Sequence, residues 1–82
     1  MTRVTVLFFG PAKDWTGCDS TSVDLAAEAD LGSLQRALGR RYPALRPALP
    51  TVRFAVNETF ADADRTLHSA DVIALIPPVS GG

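Results

Sequence analysis

The last six residues of the chain offer its clearest chemistry, and they read Pro77-Pro78-Val79-Ser80-Gly81-Gly82. The proline ring fixes φ at about −65°, so the proline pair should leave the preceding apolar run as a stiff, extended rod. Glycine has no side chain, so the final pair can pass through a narrow channel and approach another protein's reactive centre. These residues predict a tail that is inserted into a partner, with the Gly82 carboxylate as the delivered group.

A carboxylate of this kind is inert until it is activated. Adenylation would turn Gly82 into a good electrophile, and a sulfur or nitrogen nucleophile could then replace the adenylate on the acyl carbon. These 82 residues carry no apparatus for that reaction, so a partner must supply it. Because glycine forms about 7% of average sequences, about 0.5% of chains end in two glycines by chance. The pair alone is therefore a weak signal, and it becomes informative only together with the residues before it.

The rest of the sequence has no conventional catalytic or metal-binding pattern. His68 is the only histidine, and Cys18 has neither a CxxC partner nor a histidine close by. Asp62 and Asp64 are more typical of a turn than of a catalytic carboxylate pair. The glycines do not have the spacing of a phosphate-binding loop. The sequence therefore favours a reactive tail over an active site made of side chains, and we expect this chain to bind no metal or cofactor.

Composition limits the remaining possibilities. With 82 residues, 46% of them apolar, the chain should form one domain with a packed core. Its single cysteine excludes an internal disulfide and suits a reducing cytoplasm. We expect neither a signal peptide nor a membrane span, because a strand pattern starts at once and no apolar run approaches the roughly 20 residues of a span. The arginines between positions 36 and 46 lack interleaved aromatic residues, which favours a solvated helix face over nucleic-acid binding.

One helix is predicted in the middle of the chain. Asp30 is a good N-cap, and the leucines from Leu31 to Leu38 recur at helical spacing to form one apolar stripe. The helix should end near Tyr42, because Pro43 disfavours helical geometry in the residue before it. This helix is the only element predicted to cover a sheet face.

Strands are predicted on both sides of the helix, over residues 4–9, 21–27, 52–57, 60–62 and 71–76. Residues 13–20, 44–50 and 65–71 are predicted to be irregular connections. Strands flanking one helix indicate an α+β fold with a mixed sheet of four or five strands. The first and last strands are apolar on both faces, so the last should lie centrally beside the first. The result is a β-grasp domain over residues 1–76, followed by an extended, flexible tail over 77–82.

Several motifs resemble the MoaD family, the ubiquitin-like β-grasp sulfur carriers that form the small subunit of molybdopterin synthase. The matching segments are Val6-Leu7-Phe8-Phe9-Gly10, Ala55-Val56-Asn57, Ala70-Asp71-Val72-Ile73-Ala74 and Ile76 to Gly82. The resemblance implies that a MoeB-like enzyme adenylates Gly82 with ATP and that a sulfur donor converts it to a thiocarboxylate. The tail would then give its sulfur to precursor Z, a cyclic pyranopterin monophosphate, in molybdopterin synthesis.

The same resemblance implies partners and a partner surface. A MoaE-like large subunit would supply the catalytic side chains, in a heterotetramer of two small and two large chains. The implied contact residues are Phe9, Phe60, Ile76, Pro77, Pro78, Val79, Ser80 and Lys13, with Gly81 and Gly82 at the reaction centre. From the residues alone, Phe9 and Ile76 fit either the core or an interface, whereas Phe60, beside a turn, is the better interface candidate.

The sequence departs from the family pattern at two places, and three alternative functions remain open. Lys13-Asp14 stands where the family often has Arg-Glu, and Ser69-Ala70-Asp71 replaces the usual Asp-Gly-Asp. If that glycine is needed for positive φ, Ala70 implies a different turn type. The alternatives are a sulfur carrier for cysteine, thiamin thiazole or tRNA thiolation, a ubiquitin-like protein modifier, and a plain interaction module.

Overall fold

The computed structural model describes residues 1–78, which form a five-stranded mixed sheet with helices packed on one face. The elements in chain order are β1 (Thr2–Phe8), α1 (Ala12–Thr16), β2 (Ser20–Leu25), α2 (Leu31–Arg41), a short 3₁₀ helix (Pro43–Leu45), β3 (Arg53–Val56), β4 (Thr59–Phe60) and β5 (Val72–Ile76). The strand order is β2-β1-β5-β3-β4. β1 and β5 are parallel neighbours and the other pairs are antiparallel, which confirms the predicted α+β fold with the last strand in the middle.

Helix α2 begins and ends where the sequence predicts, to within one residue. The Asp30 carboxylate accepts a hydrogen bond from the Ser33 N–H at 2.9 Å, which satisfies one of the free donors of the first turn. Two hydrogen bonds, from the N–H and the hydroxyl of Ser33, lower the pKa of Asp30. At the other end, the Tyr42 N–H bonds the Leu38 carbonyl at 2.8 Å, and Pro43 follows.

The core lies between α2 and one face of the sheet, which we call the inner face. The inner-face side chains are Val4, Val6 and Phe8 of β1, Phe54 and Val56 of β3, and Ile73 and Leu75 of β5, and each is at most 3% exposed. The leucines of the α2 stripe are fully buried against them. Each such side chain contributes about 1.5–3 kcal/mol relative to exposure. The fold therefore rests on this one layer of apolar contacts.

Two connecting segments are more ordered than the sequence predicts. Residues 13–20 are not wholly irregular, because α1 forms there: Ala12 is buried, and Gly17 ends the helix in the left-handed region at φ 76°. The prediction that α2 alone covers the sheet is also wrong. Leu45, in the 3₁₀ helix, is fully buried, so this connection adds to the covering layer.

A hydrogen-bonded clasp fixes the beginning of β5 against the end of β3. The Asn57 side chain donates to the Asp71 carboxylate and accepts from the Val72 N–H, both at 2.9 Å. The second carboxylate oxygen of Asp71 accepts from the His68 N–H at 2.8 Å. Burial raises the pKa of Asp71, but the hydrogen bonds from His68 and Asn57 outweigh it and hold that pKa below its ordinary value. These bonds give Asn57 and Asp71 a structural role in this chain.

Ala70 stands where the sequence implied a different turn type if glycine were required for positive φ, and the structure shows that glycine is not required there. Ala70 itself adopts φ 74°, a left-handed conformation that costs a non-glycine residue about 1–2 kcal/mol. Its N–H bonds the Arg3 carbonyl at 2.9 Å, and the next N–H, of Asp71, bonds the His68 carbonyl at 3.1 Å. Alanine therefore occupies a left-handed position in this turn. None of the helices within residues 1–78 has both the length and the apolar content needed to cross a membrane.

Candidate functional site

The sheet face that points away from α2, here called the outer face, also carries apolar side chains. Alternation along the strands assigns Ala55, Phe60, Ala74 and Ile76 to this face. Ala55 pairs directly with both Phe60 and Ala74, so side chains from β4, β3 and β5 form one row across the sheet. The strand register thus assembles an apolar surface that α2 does not cover.

This surface holds a shallow groove of about 410 Å³, lined by Phe9, Ala55, Glu58, Phe60, Ala74 and Ile76. The two phenyl rings are 44% and 53% exposed, which is high for side chains of this size. The structure therefore brings together Phe9, Phe60 and Ile76, the three apolar residues that the resemblance assigns to a partner surface. An exposed apolar groove of this kind is typical of a protein-binding site.

A larger groove, of about 510 Å³, lies elsewhere on the molecule. It is formed between α2 and the loop after it and is lined by Gln35, Arg36, Gly39, Arg40, Arg46, Leu49 and Pro50. We assign the functional site to the smaller groove, because only that one includes Ile76, the residue from which the tail departs.

The tail leaves the domain beside the outer-face groove. Ile76 ends β5 opposite Arg53, Pro77 is buried, and Pro78 is exposed. Pro77 continues the alternation of Ile73 and Leu75, so it packs on the inner-face side. Pro78 is thus the first exposed residue after the strand. The predicted site residues Val79, Ser80, Gly81 and Gly82 lie outside the described residues.

Lys13, the remaining predicted contact residue, lies apart from the groove lining. It belongs to α1, and its side chain is 54% exposed, with Nζ 3.8 Å from a carboxylate oxygen of Asp19. That distance and exposure make the ion pair weak. Lys13 is therefore available to a partner on the β1 side of the tail exit.

Arg53 is a residue that the sequence did not single out. Its guanidinium carbon lies 3.8 Å from the centre of the Phe60 ring, a cation–π contact. The contact could not be predicted from the sequence, because it requires knowing that β4 folds back beside β3. The pairing of Ala55 with Phe60 creates that proximity.

The other titratable candidates, His68 and Cys18, contact neighbouring residues of the fold and do not line the outer-face groove. The His68 ring is 74% exposed, with Nδ1 4.0 Å from an Asp71 carboxylate oxygen, in the turn before β5. Cys18 is half-buried, with Sγ 3.8 Å from the Tyr42 hydroxyl. Among residues 1–78, His, Cys, Asp and Glu form no group of three or more that could hold a metal ion.

Comparisons with known proteins identify the family of the chain. Residues 6–82 match the ThiS family. The molybdopterin synthase sulfur carrier subunit of Mycobacterium tuberculosis is 36% identical over 85 residues, covering all of both chains. The corresponding subunit of Caenorhabditis briggsae is 39% identical over 84 residues, again covering all of both.

Solved structures show the same fold. One is a chain from the complex of subunits 1 and 2 of the molybdopterin-converting factor of Helicobacter pylori, with a TM-score of 0.73, 32% identity, and coverage of 99% of this chain and 100% of that one. Another is small archaeal modifier protein 1 of Haloferax volcanii, with a TM-score of 0.90, 25% identity, and coverage of 98% and 99%. The five-stranded sheet with one main helix is thus the ubiquitin-like β-grasp fold, and the chain belongs to the ThiS family, among relatives named molybdopterin synthase sulfur carrier subunits.

Proposed function

We propose that this chain is a sulfur carrier for molybdopterin synthesis and acts as the small subunit of molybdopterin synthase. The observation that carries the proposal is the apolar groove of Phe9, Phe60 and Ile76 beside the exit of the tail. A partner that covers the groove receives the tail at the same place. The full-length similarity to sulfur carrier subunits supports this assignment over an unrelated interaction module.

The reaction begins at the Gly82 carboxylate. A MoeB-like enzyme binds ATP, and a carboxylate oxygen of Gly82 attacks the α-phosphorus, so pyrophosphate leaves and an acyl adenylate forms. Hydrosulfide supplied by a sulfur donor then attacks the acyl carbon, the acyl–phosphate bond breaks, AMP leaves, and the product is a thiocarboxylate. In this scheme the chain binds no cofactor of its own, since the activating enzyme holds the nucleotide.

Delivery requires a second partner. A MoaE-like large subunit covers the groove, takes the tail with its Pro78, Val79 and Ser80 into a channel, and supplies the side chains that act on precursor Z. A dithiolene contains two sulfur atoms and each tail carries one, so each product consumes two charged tails. A heterotetramer of two small and two large chains accommodates this demand.

The stiffness of the tail helps this transfer. Because Pro77 is buried and Pro78 has a fixed φ, the direction of the tail is restricted before the partner binds. A restricted segment loses less conformational entropy on entering a channel, and less binding free energy is consumed in ordering it. Gly81 and Gly82 then let the thiocarboxylate approach the acceptor without steric hindrance.

Single-turnover transfer tests the acceptor. The thiocarboxylated chain is mixed with the large subunit and precursor Z, and dithiolene product is measured together with loss of sulfur from the tail. The control is a chain lacking Gly81 and Gly82, which should bind the large subunit through the groove but yield no product. A thiocarboxylated chain that binds the large subunit yet never donates to the pterin contradicts this pathway and favours another sulfur acceptor.

A protein modifier is the second candidate, because its fold is equally similar. The TM-score is 0.90 to small archaeal modifier protein 1 of Haloferax volcanii and 0.89 to a putative molybdopterin-converting factor subunit 1 of Pyrococcus furiosus, so the fold fits both functions. A modifier would use the same adenylated Gly82 but transfer it to lysine amines. Recovery of Gly82 joined by isopeptide bonds to lysines of other proteins in cells would support this alternative.

A further inference from the structure

Arg53 stands at the boundary between the outer-face groove and the tail exit. It is the cross-strand partner of Ile76, the last residue before the prolines. Its guanidinium lies against the ring of Phe60, which is itself a wall of the groove. A protein that covers this groove and receives the tail therefore comes close to Arg53.

The stacked Arg53 guanidinium can bind a carboxylate through the N–H donors at its edge. Arginine carries five N–H donors in the plane of the guanidinium, and stacking on a ring uses the face of that plane rather than its edges. The Phe60 ring restricts the side chain, so less rotamer freedom is lost when the edge donors bind. The Lys and Arg ion pairs found among residues 1–78 are Arg3–Asp24 and Lys13–Asp19, so within that range Arg53 has no carboxylate within 4.0 Å, although Asp62 lines the same small cavity as Arg53 and Phe60.

Covering the groove changes the surroundings of Arg53. A partner that contacts the exposed part of the Phe60 ring excludes water from the Arg53 guanidinium that is stacked on that ring. A charge that loses water without gaining a counter-charge is strongly destabilising, so a tight complex needs an acidic group at this point. The groove-lining residue Glu58 lies in the turn after β3. Arg53 lies at the start of β3, beside the tail, and borders the groove only through its contact with Phe60.

We propose that Arg53 selects the partner by pairing with a carboxylate on the large subunit, next to the entrance through which the tail passes. This proposal rests on the proposed function, because it takes the large subunit as the occupant of the groove. The pair would fix the orientation of the small subunit, since the reversed orientation would set the carboxylate against Glu58. Arg53 is then a positioning residue for the tail, not a catalytic one.

The test measures the affinity of the large subunit for the chain and for matched variants by isothermal titration calorimetry at several salt concentrations. Arg53→Glu should weaken binding at least about 30-fold, as expected for a shielded charge pair. The control is Arg36→Glu, which makes the same change in net charge on an exposed residue of α2 that lines the other groove, and it should weaken binding less than about twofold.

A third variant separates pairing from a structural role. Arg53→Met keeps an unbranched side chain that can pack on the Phe60 ring but removes the charge. Pairing predicts about tenfold weaker binding for Arg53→Met and a flatter dependence of affinity on salt, while the midpoint of thermal unfolding stays close to the wild-type value. If Arg53 only supports the ring, Arg53→Met binds as tightly as the wild type.

The outcomes distinguish this inference from the proposed function. If the wild type binds the large subunit and both Arg53 variants bind like the Arg36 control, the inference is overturned and the proposed function stands. If the wild type does not bind the large subunit, both fail.

Discussion

The two faces of the sheet both carry apolar side chains, but α2 buries one face and leaves the other exposed. Ile73 and Ile76 belong to the same strand, yet Ile73 is fully buried under α2, whereas Ile76 lines the open outer-face groove. The inner face supplies the core that a domain of 82 residues needs. The outer face leaves Phe9 and Phe60 about half exposed. Folding therefore buries one apolar face of the sheet and leaves the other exposed to a partner.

The register of β5 decides which residue goes to which face. A slip of one position would exchange Ile73 and Ile76 between the core and the groove, because side chains alternate with period two. The clasp between Asn57 and Asp71 prevents such a slip, since its hydrogen bonds fix Val72 opposite the end of β3. The clasp at one end of β5 therefore sets the placement of the tail at the other.

The largest expected effect compares the same substitution on the two faces. Ile73→Ala should lower the free energy of unfolding by about 3 kcal/mol, because it leaves a cavity in the core. Ile76→Ala should lower it by less than about 1 kcal/mol, because that side chain is half-buried and borders the groove. Urea unfolding followed by Trp15 fluorescence measures both. Equal losses would mean that the outer face also holds the fold together.

The second comparison concerns binding. Phe60→Ala should weaken the complex with the large subunit by about 2 kcal/mol, roughly 30-fold, because a half-exposed aromatic side chain at the centre of an apolar interface is a typical hot spot. The control is Val72→Ala, which changes an exposed apolar residue that does not line the groove. Calorimetric titration should find near-wild-type affinity for the control. Similar losses for both variants would contradict a contact centred on the groove.

A smaller effect tests the clasp through pH. The pKa of Asp71 is lowered in the folded state, so its stabilising contribution is present above the unfolded pKa of about 4 and is lost as the pH falls through the lower, folded value. Asp71→Asn should cost about 1.5 kcal/mol at pH 6, with the difference from wild type shrinking as the pH is lowered below 4. Thermal unfolding over this range measures it. A difference that grows on acidification would contradict the assigned direction.

The smallest effect concerns the turn that leads into β5. Ala70→Gly relieves the left-handed strain at φ 74° but increases the entropy of the unfolded chain, so we expect a net gain of about 0.5 kcal/mol. Ala44→Gly, at an exposed residue of the 3₁₀ helix, is the matched control and should be destabilising by a similar amount. Loss of stability in Ala70→Gly would show that the alanine side chain itself supports the turn.

Sequence patterns predicted the elements that have strong local signals. Helix α2 combines the Asp30 cap, a leucine stripe and a proline just beyond its end, and each signal agrees with the others. The central position of β5 followed from a strand that is apolar on both faces. Helix α1 was missed because its five residues are too few to show a period. The φ of Ala70 was missed because it is accompanied by a hydrogen bond from the Ala70 N–H to the carbonyl of Arg3, which is distant in the sequence.

The candidate site was less accessible to sequence analysis. Residue types alone left Phe9 and Ile76 open between core and interface, and only the family resemblance assigned them to a partner surface. Their convergence with Phe60 depends on strand order, which joins residues far apart in the chain. The contact of Arg53 with the Phe60 ring depends on the return of β4 beside β3.

The central claim is that the tail is the reactive part of the molecule and the outer-face groove is its docking surface. The most direct test is the intact mass of the chain after incubation with ATP, a sulfur source and a MoeB-like enzyme, with fragmentation to locate any change. We predict replacement of one oxygen by one sulfur at Gly82. No mass change in the wild type, or the same change in a chain that lacks Gly82, would contradict the account.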